Sequence, residues 1–268
     1  MKTFLLSFVL PIVIIFFAFT ISFVVGFLAF ALVLLWTAWN FRAEIYTPIA
    51  QKKFQQSHSD GYKWFEKALN TGKMRPYNVL FYAYMLLRDG ELDKAETLIN
   101  KTTYMHKDKI SADVKISANL NLALIKWKRG KLPVAIADLE ELYNDGHKSS
   151  VLYGTLGYLY IIHGDIDKAY RFNKEAFEYN DTDNIVADNW GNSLYLKGEM
   201  DSAYEIYEAL MEKNPKFMEA YYNFALVLDA KGEKDRAIDM LEKTLTMEEK
   251  YLSELTHEKV RTALAEMR

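Results

Sequence analysis

Asparagines stand at positions 121, 189 and 223, each nine residues before a glycine: Gly130, Gly198 and Gly232. An asparagine amide carries a donor and an acceptor together, so it can hold a peptide backbone irrespective of that peptide's side chains. The other residue types that do chemistry form no constellation. The histidines, at 58, 106, 147, 163 and 257, are scattered without ligand spacing. Cysteine is absent, which excludes disulfides, thiolate zinc sites and iron–sulfur clusters. There is no glycine-rich phosphate loop, no His-Glu-x-x-His and no strand–turn–helix context for a nucleophile elbow. No pair of carboxylates stands out in an apolar setting that would raise a pKa. The expectation is a binding protein, not an enzyme, with no cofactor and no metal.

The asparagines belong to a larger pattern. Gly90-Glu-Leu-Asp-Lys-Ala95, Gly130-Lys-Leu-Pro-Val-Ala135, Gly164-Asp-Ile-Asp-Lys-Ala169, Gly198-Glu-Met-Asp-Ser-Ala203 and Gly232-Glu-Lys-Asp-Arg-Ala237 are five copies of one segment, their glycines 40, 34, 34 and 34 residues apart. A fixed period of this length, built from two helical segments, marks an array of stacked helical hairpins. Seven residues before each glycine stands a small residue (Ala83, Ala123, Gly157, Gly191, Ala225), and five after it stands alanine. Helices approach to roughly 8–10 Å where small side chains meet, so these columns predict the contacts inside each hairpin. The glycine suits the left-handed residue that ends a first helix. Asp93, Asp167, Asp201 and Asp235 follow at the start of the second, facing its positive dipole end; Pro133 takes that place once, in a position that tolerates it. Large residues eight before the glycine (Tyr82, Leu122, Leu156, Trp190, Phe224) and nine after it (Ile99, Leu139, Asn173, Tyr207, Leu241) are apolar but for Asn173. Pro215 stands where one unit stops.

From roughly Pro76 to Tyr251 these columns resemble the tetratricopeptide-repeat family, the second unit diverging most through Asn119 and Lys126. The resemblance implies an all-α superhelix of antiparallel hairpins with units at 76–109, 110–149, 150–183, 184–217 and 218–251. It also implies a concave groove, lined by the first helix of each hairpin, that receives a protein or peptide. Asn121, Asn189 and Asn223 fall on that face by resemblance. Neighbouring groove positions bring Trp127, Tyr158, Asn192, Tyr195 and Tyr222, with Asp188 and Asp229. The plainer reading is that these residues bond to neighbouring helices and solvent. The family's carboxylate clamp needs basic residues where this chain has Ser117, Val151, Ile185 and Glu219, so capture of an acidic chaperone tail is not expected; the acidic residues hint at a ligand with some positive charge. Tyr62 to Leu69 reads as the second helix of a degraded sixth unit within a 41–75 linker. Residues 252–268, with Leu252, Leu255, Val260, Ala263 and Leu264, read as a capping helix. Tyr104 to Lys109 reads as a surface loop, or more sharply as a partner-contacting one.

The N-terminus carries the second signal. No charged residue occurs from Phe4 to Trp39. One helix of that length would reach roughly 54 Å against a hydrocarbon core of about 30 Å. Two short helices within 1–40 are therefore expected, as a transmembrane hairpin in the lipid bilayer turning somewhere in Phe19–Gly26; one long tilted helix is the alternative. The apolar stretch exceeds that of a cleaved signal peptide. Lys2 precedes it and Arg42, Lys52 and Lys53 follow, which puts both flanks and the repeats on the cytoplasmic side of the membrane. The net charge of −3 is dispersed and argues against nucleic acid. The resulting expectation is a membrane-anchored scaffold that recruits a partner protein through its concave face. Other readings are a self-associating structural membrane protein, hence a homo-oligomer, and a regulatory subunit of a membrane enzyme or transporter.

Overall fold

The computed structural model of the chain describes residues 9–105 and 110–268, and these contain fifteen helices and no strand. They divide into two units, 1–79 and 80–268.

In the first unit, helix α1 (Leu10–Ile21) and helix α2 (Phe23–Asn40) meet at Ser22, inside the stretch where the sequence places a turn. The Ser22 hydroxyl accepts from the amide of Val25 at 3.2 Å and starts α2. The least exposed positions are Pro11, Ile15 and Ala18 on α1 and Gly26, Ala29, Val33, Thr37 and Asn40 on α2. Their spacing of three and four residues gives each helix one inward stripe. Small residues at the tip allow the close approach: a Cβ on Gly26 would lie 2.2 Å from the Phe19 ring. The remaining faces leave Ile12, Phe16, Phe17, Phe23, Leu28, Leu32 and Leu35 exposed. Among the described residues one helix, α2, is by length and composition long and apolar enough to cross a membrane; the described part of α1 is shorter. The expected start of the segment, before Val9, lies outside the described residues. Helix α3 (Arg42–Phe54) then pairs with helix α4 (His58–Leu69). Phe65 and Ala68, which the register places inward, are fully buried. The linker thus supplies the first helix that the degraded unit lacked in sequence, with Gly61 as its close contact: a Cβ there would meet the Phe54 Cα at 2.6 Å.

Helix α5 (Pro76–Arg88) runs across the division into the second unit. There follow α6 (Leu92–Met105), α7 (Ala112–Lys128), α8 (Leu132–Asn144), α9 (Ser150–His163), α10 (Ile166–Tyr179), α11 (Asn184–Leu196), α12 (Met200–Glu212), α13 (Met218–Ala230), α14 (Lys234–Leu245) and α15 (His257–Met267). The five turn glycines have φ of +82°, +78°, +86°, +82° and +82°, the left-handed geometry in which a side chain is strained. After four of them the next amide reaches back to the last turn of the first helix, as in Glu91 to the Leu86 carbonyl at 2.9 Å and Glu199 to Leu194 at 3.0 Å. All five alanines that follow are fully buried.

The two large columns are coupled. Where the position seven before the turn is alanine, its partner nine after the turn is aliphatic: Ile99, Leu139 or Leu241. Where it is glycine, the partner is Asn173 or Tyr207, and the vacated space is filled. A Cβ on Gly157 would stand 1.9 Å from Asn173 Oδ1, and one on Gly191 would stand 2.7 Å from the Tyr207 ring. Asn173, the polar exception, donates to Ser193 Oγ at 2.9 Å and to the Gly157 carbonyl at 3.4 Å, while its Oδ1 is buried without a partner.

On the turns the aspartates do more than face a helix dipole. Asp93, Asp167 and Asp201 pair with Arg129, Lys197 and Lys231, each the residue before the next unit's glycine. Where Pro133 replaces the aspartate, His163 stands in the basic position. The aspartates are largely exposed, so water screens each pair and its contribution to stability is small. Lys126, a divergent residue of the second unit, pairs with Asp138 of its own hairpin at 2.5 Å, and Asn119 is exposed. Of the loop from Tyr104 to Lys109, Tyr104 and Met105 end α6 and are exposed, and 106–109 lie outside the described residues. The capping helix begins later than the sequence suggests, at His257, where Thr256 caps the Lys259 amide at 3.3 Å. Leu252 and Leu255 belong to a non-helical strap, residues 246–256, because each packs on a different part of the array.

The coupled columns predict that Gly157→Ala lowers stability by about 1–3 kcal/mol through overpacking against Asn173. The double variant Gly157→Ala/Asn173→Leu, which installs the alanine–leucine pair of the second and fifth units, should recover most of the lost thermal unfolding midpoint; failure to recover would disprove the coupling.

Candidate functional site

The asparagines prove to be ties between units. Asn121 Nδ2 donates to the Leu80 carbonyl at 3.2 Å and Asn189 Nδ2 to the Gly154 carbonyl at 2.8 Å, and both residues are buried. Asn223 Nδ2 donates to Asp188 Oδ1 at 3.0 Å. Each acceptor stands ten residues before the preceding unit's glycine, so one register ties successive first helices, through a main-chain carbonyl twice and through the Asp188 carboxylate once. One N–H of each of these amides is therefore engaged within the protein.

The first helices nevertheless line a cavity of about 450 Å³. Of the residues singled out in the sequence, Trp127, Tyr158, Asp188 and Asn189 are brought together in its wall. Tyr222 lines a separate depression against α15, and Tyr195 packs on the C-terminal core beside it. Asn192 is half-buried and Asp229 exposed, and neither lines the larger cavity. Tyr84 and Arg88 of α5, Val151 and Thr155 of α9, Ile185 of α11 and Glu219 of α13 complete the inner wall, with Lys216 and Phe217 at one end.

Asp188 is the electrostatic centre of this wall. It is 4% exposed, and its Oδ1 accepts from the Tyr207 hydroxyl at 3.0 Å as well as from Asn223. Burial pushes its pKa up to about 7; the bonds from Asn223 and Tyr207 work against that rise, and the negative charge of Glu219 adds to it. This lone carboxylate was not singled out for a raised pKa in the sequence, where only pairs were considered. The residues responsible come from three successive helices, α11, α12 and α13, at spacings that no single-helix pattern reveals.

The strap closes the other side of the cavity through Lys250 and Leu252. It reaches back across the units. Lys128 Nζ donates to the Ser253 carbonyl and pairs with the Glu254 carboxylate, both at 3.3 Å and about 125 residues away in sequence. The amide of Glu254 donates to the Tyr158 hydroxyl at 2.9 Å, and burial keeps that hydroxyl's pKa raised. Ser253 Oγ donates to the Glu219 carboxylate. Lys128 Nζ lies 5.0 Å from the centre of the Tyr251 ring and 4.6 Å from that of Trp127, within cation–π range. The Tyr251 ring rests on the first turn glycine, 3.3 Å from where a Gly90 Cβ would be. Lys128 and Arg88 were not singled out in the sequence, although a signal existed: two residues before the turn glycine the first two units carry a base, whereas the others carry Ile162, Leu196 and Ala230.

No family model and no curated protein matches the chain. Solved structures do. A tetratricopeptide repeat protein from Parabacteroides merdae superposes with a TM-score of 0.62 at 15% identity, over 91% of each chain. TTC0263, a thermophilic TPR protein in Thermus thermophilus, gives 0.54 at 19% identity over 72% of this chain and 98% of its own. A chain of the APC/C hetero-tetramer Cut9–Hcn1 gives 0.60 at 16% identity over 86% of this chain and 49% of its own. At these identities the likeness establishes the fold: the array is of the tetratricopeptide-repeat type.

Asp188 has a pKa of about 7 folded and about 3.9 unfolded. Its protonated form therefore stabilises the fold below the unfolded value, and that contribution is lost as pH rises through about 7. The thermal midpoint should fall between pH 5 and pH 8, by an amount equivalent to at most about 3 kcal/mol. Asp188→Asn, which keeps both acceptor bonds, should flatten this slope and raise the midpoint at pH 8. An unchanged slope would place the titration elsewhere.

Proposed function

We propose that this protein is a membrane-anchored interaction scaffold that recruits a partner protein or peptide through the inner face of its repeats. The observation that carries the reading is the strap: the inner face already holds a non-helical stretch of polypeptide, and it does so partly through that stretch's main chain, by Lys128 on a carbonyl and Tyr158 on an amide. Groups arranged to grip a backbone serve a partner's segment equally well. The inner face also exposes apolar side chains with nothing folded over them, Val151 at 65% and Ile185 at 43%, the kind of surface that marks an interaction site. The hetero-tetramer Cut9–Hcn1, one chain of which shares the fold, is consistent with work in a protein assembly.

Anchoring rests on the first unit. The α1–α2 pair leaves nearly all of its large apolar side chains uncovered, a surface suited to lipid. Arg42 stacks on Trp39 at 4.0 Å where the apolar segment ends, the pairing of aromatic ring and cation found at membrane interfaces. The basic flank after the segment favours a cytoplasmic repeat array. Local concentration at the membrane then strengthens modest groove affinities.

A photo-crosslinking residue placed at Val151, on the inner face, should capture a discrete protein adduct from native membranes. The same residue at Val134, exposed on second helix α8, should not. Equal capture at both sites, or capture at Val134 alone, would move the interaction off the inner face.

A further inference from the structure

We propose that the inner face recognises a non-helical segment with the chemistry of its own strap, in the order aromatic, aliphatic, hydroxyl, carboxylate, and that Tyr251–Glu254 hold the site until such a segment displaces them. The proposal rests on the reading of the inner face as the recruiting surface, and specifies what it recruits.

The strap's contacts separate into general and selective ones. Lys128 on the Ser253 carbonyl and Tyr158 on the Glu254 amide would hold any peptide in this path. Selectivity comes from the side chains. The Glu254 carboxylate meets Lys128, whose side chain is only 14% exposed, so the ion pair is partly shielded from water and its loss is felt more than that of a surface pair. The Ser253 hydroxyl donates to Glu219, a contact that a residue without a donor cannot make. Tyr251 offers its ring to the Lys128 ammonium and its edge to the flat surface of Gly90. Leu252 packs on the core of the second and third units.

Three features mark Tyr251–Glu254 as an occupant of the inner face. The stretch has no regular secondary structure. On the inner face its anchor points lie on α7, α9, α13 and the first turn, while the Glu254 carbonyl accepts from Lys259 of α15 at 2.7 Å and Glu249 accepts from the His257 amide. Tyr251 and Glu254 are exposed despite their contacts. A tethered segment competes at an effective concentration on the order of millimolar, so an incoming segment with only the same contacts displaces it only at comparable concentration. The cavity left open beside the strap, lined by Tyr84, Arg88, Ile185, Asp188 and Phe217, gives a longer partner the extra surface it needs.

The test uses the full-length chain in detergent and a fluorescent synthetic peptide spanning residues 248–256. A variant with Tyr251, Leu252, Ser253 and Glu254 all changed to glycine should bind the peptide about tenfold or more tightly than wild type. Adding Lys128→Ala to that variant should reduce binding again by about tenfold or more, and a peptide with the glutamate changed to glutamine should bind more weakly. A strap variant that keeps the wild-type helical circular dichroism but ignores the peptide, or that binds it equally well without Lys128, overturns the proposal. Should the strap variant not fold, hydrogen exchange on wild type decides: millimolar peptide should speed exchange of the Glu254 amide while the repeat helices stay protected, and no change refutes displacement. Failure here, with a partner still captured at Val151, removes only the strap chemistry. Peptide binding without any captured partner removes recruitment and leaves the strap chemistry standing.

Discussion

Everything in the repeat array depends on how closely the two helices of each hairpin approach. Fully buried alanine five residues after every turn glycine, and alanine or glycine seven before it, leave no side chain to hold the helices apart. The left-handed glycine reverses the chain over the shortest path. With the hairpin geometry fixed five times over, successive first helices come close enough for one asparagine register to tie them, and their outer flanks become the wall of a single inner face. Loss of one methyl group in the close-contact column is not tolerated as empty space. It is filled by Asn173 or Tyr207, in line with the close packing that protein interiors require.

That second substitution has consequences beyond packing. Tyr207 is long enough to cross its hairpin and place its hydroxyl on both the carbonyl and the carboxylate of Asp188. A buried carboxylate without donors would cost several kcal/mol; with Tyr207 and Asn223 it persists at the base of the inner face. The glycine at 191 and the polar centre of the site are thus one arrangement, and the array's polarity peaks where its close-contact column is smallest.

The fold was legible because its determinants recur. Small columns and turn glycines recur five times, at 34 residues after a first interval of 40, and each repetition confirms the others. The apolar segment was equally plain, down to a break near Ser22. The candidate site was legible only in position. Register placed Asn121 and Asn189 on first helices but could not say that their amides point to Leu80 and Gly154 of the preceding unit, since partner choice depends on how far one unit rotates on the next. The strap was misread for a different reason. Leu252, Leu255, Val260, Ala263 and Leu264 have helix-like spacing, yet the first two serve separate core clusters, and no periodicity distinguishes a helix from an extended segment that meets two surfaces in turn. Arg88 and Lys128 broke their column visibly, but a base beside a helix end has so ordinary an explanation in the dipole that the deviation carried no weight until the strap lay beside it.

The strap also changes what kind of object the array is. A stack of repeats is held by nearest-neighbour interfaces, and its ends do not sense each other. Here Tyr251 touches the first turn at Gly90 while Leu255 is buried with the last units, and Lys128 and Tyr158 hold the stretch between. The contacts are individually modest, but they bridge separations of 96 and 125 residues, so they couple units that otherwise communicate only by relay. A segment that replaces the strap on the inner face therefore does two things at once: it occupies the groove, and it releases the last unit from the first. Binding and the curvature of the array are linked through the same four residues, and by reciprocity anything that changes that curvature must change the affinity of the groove.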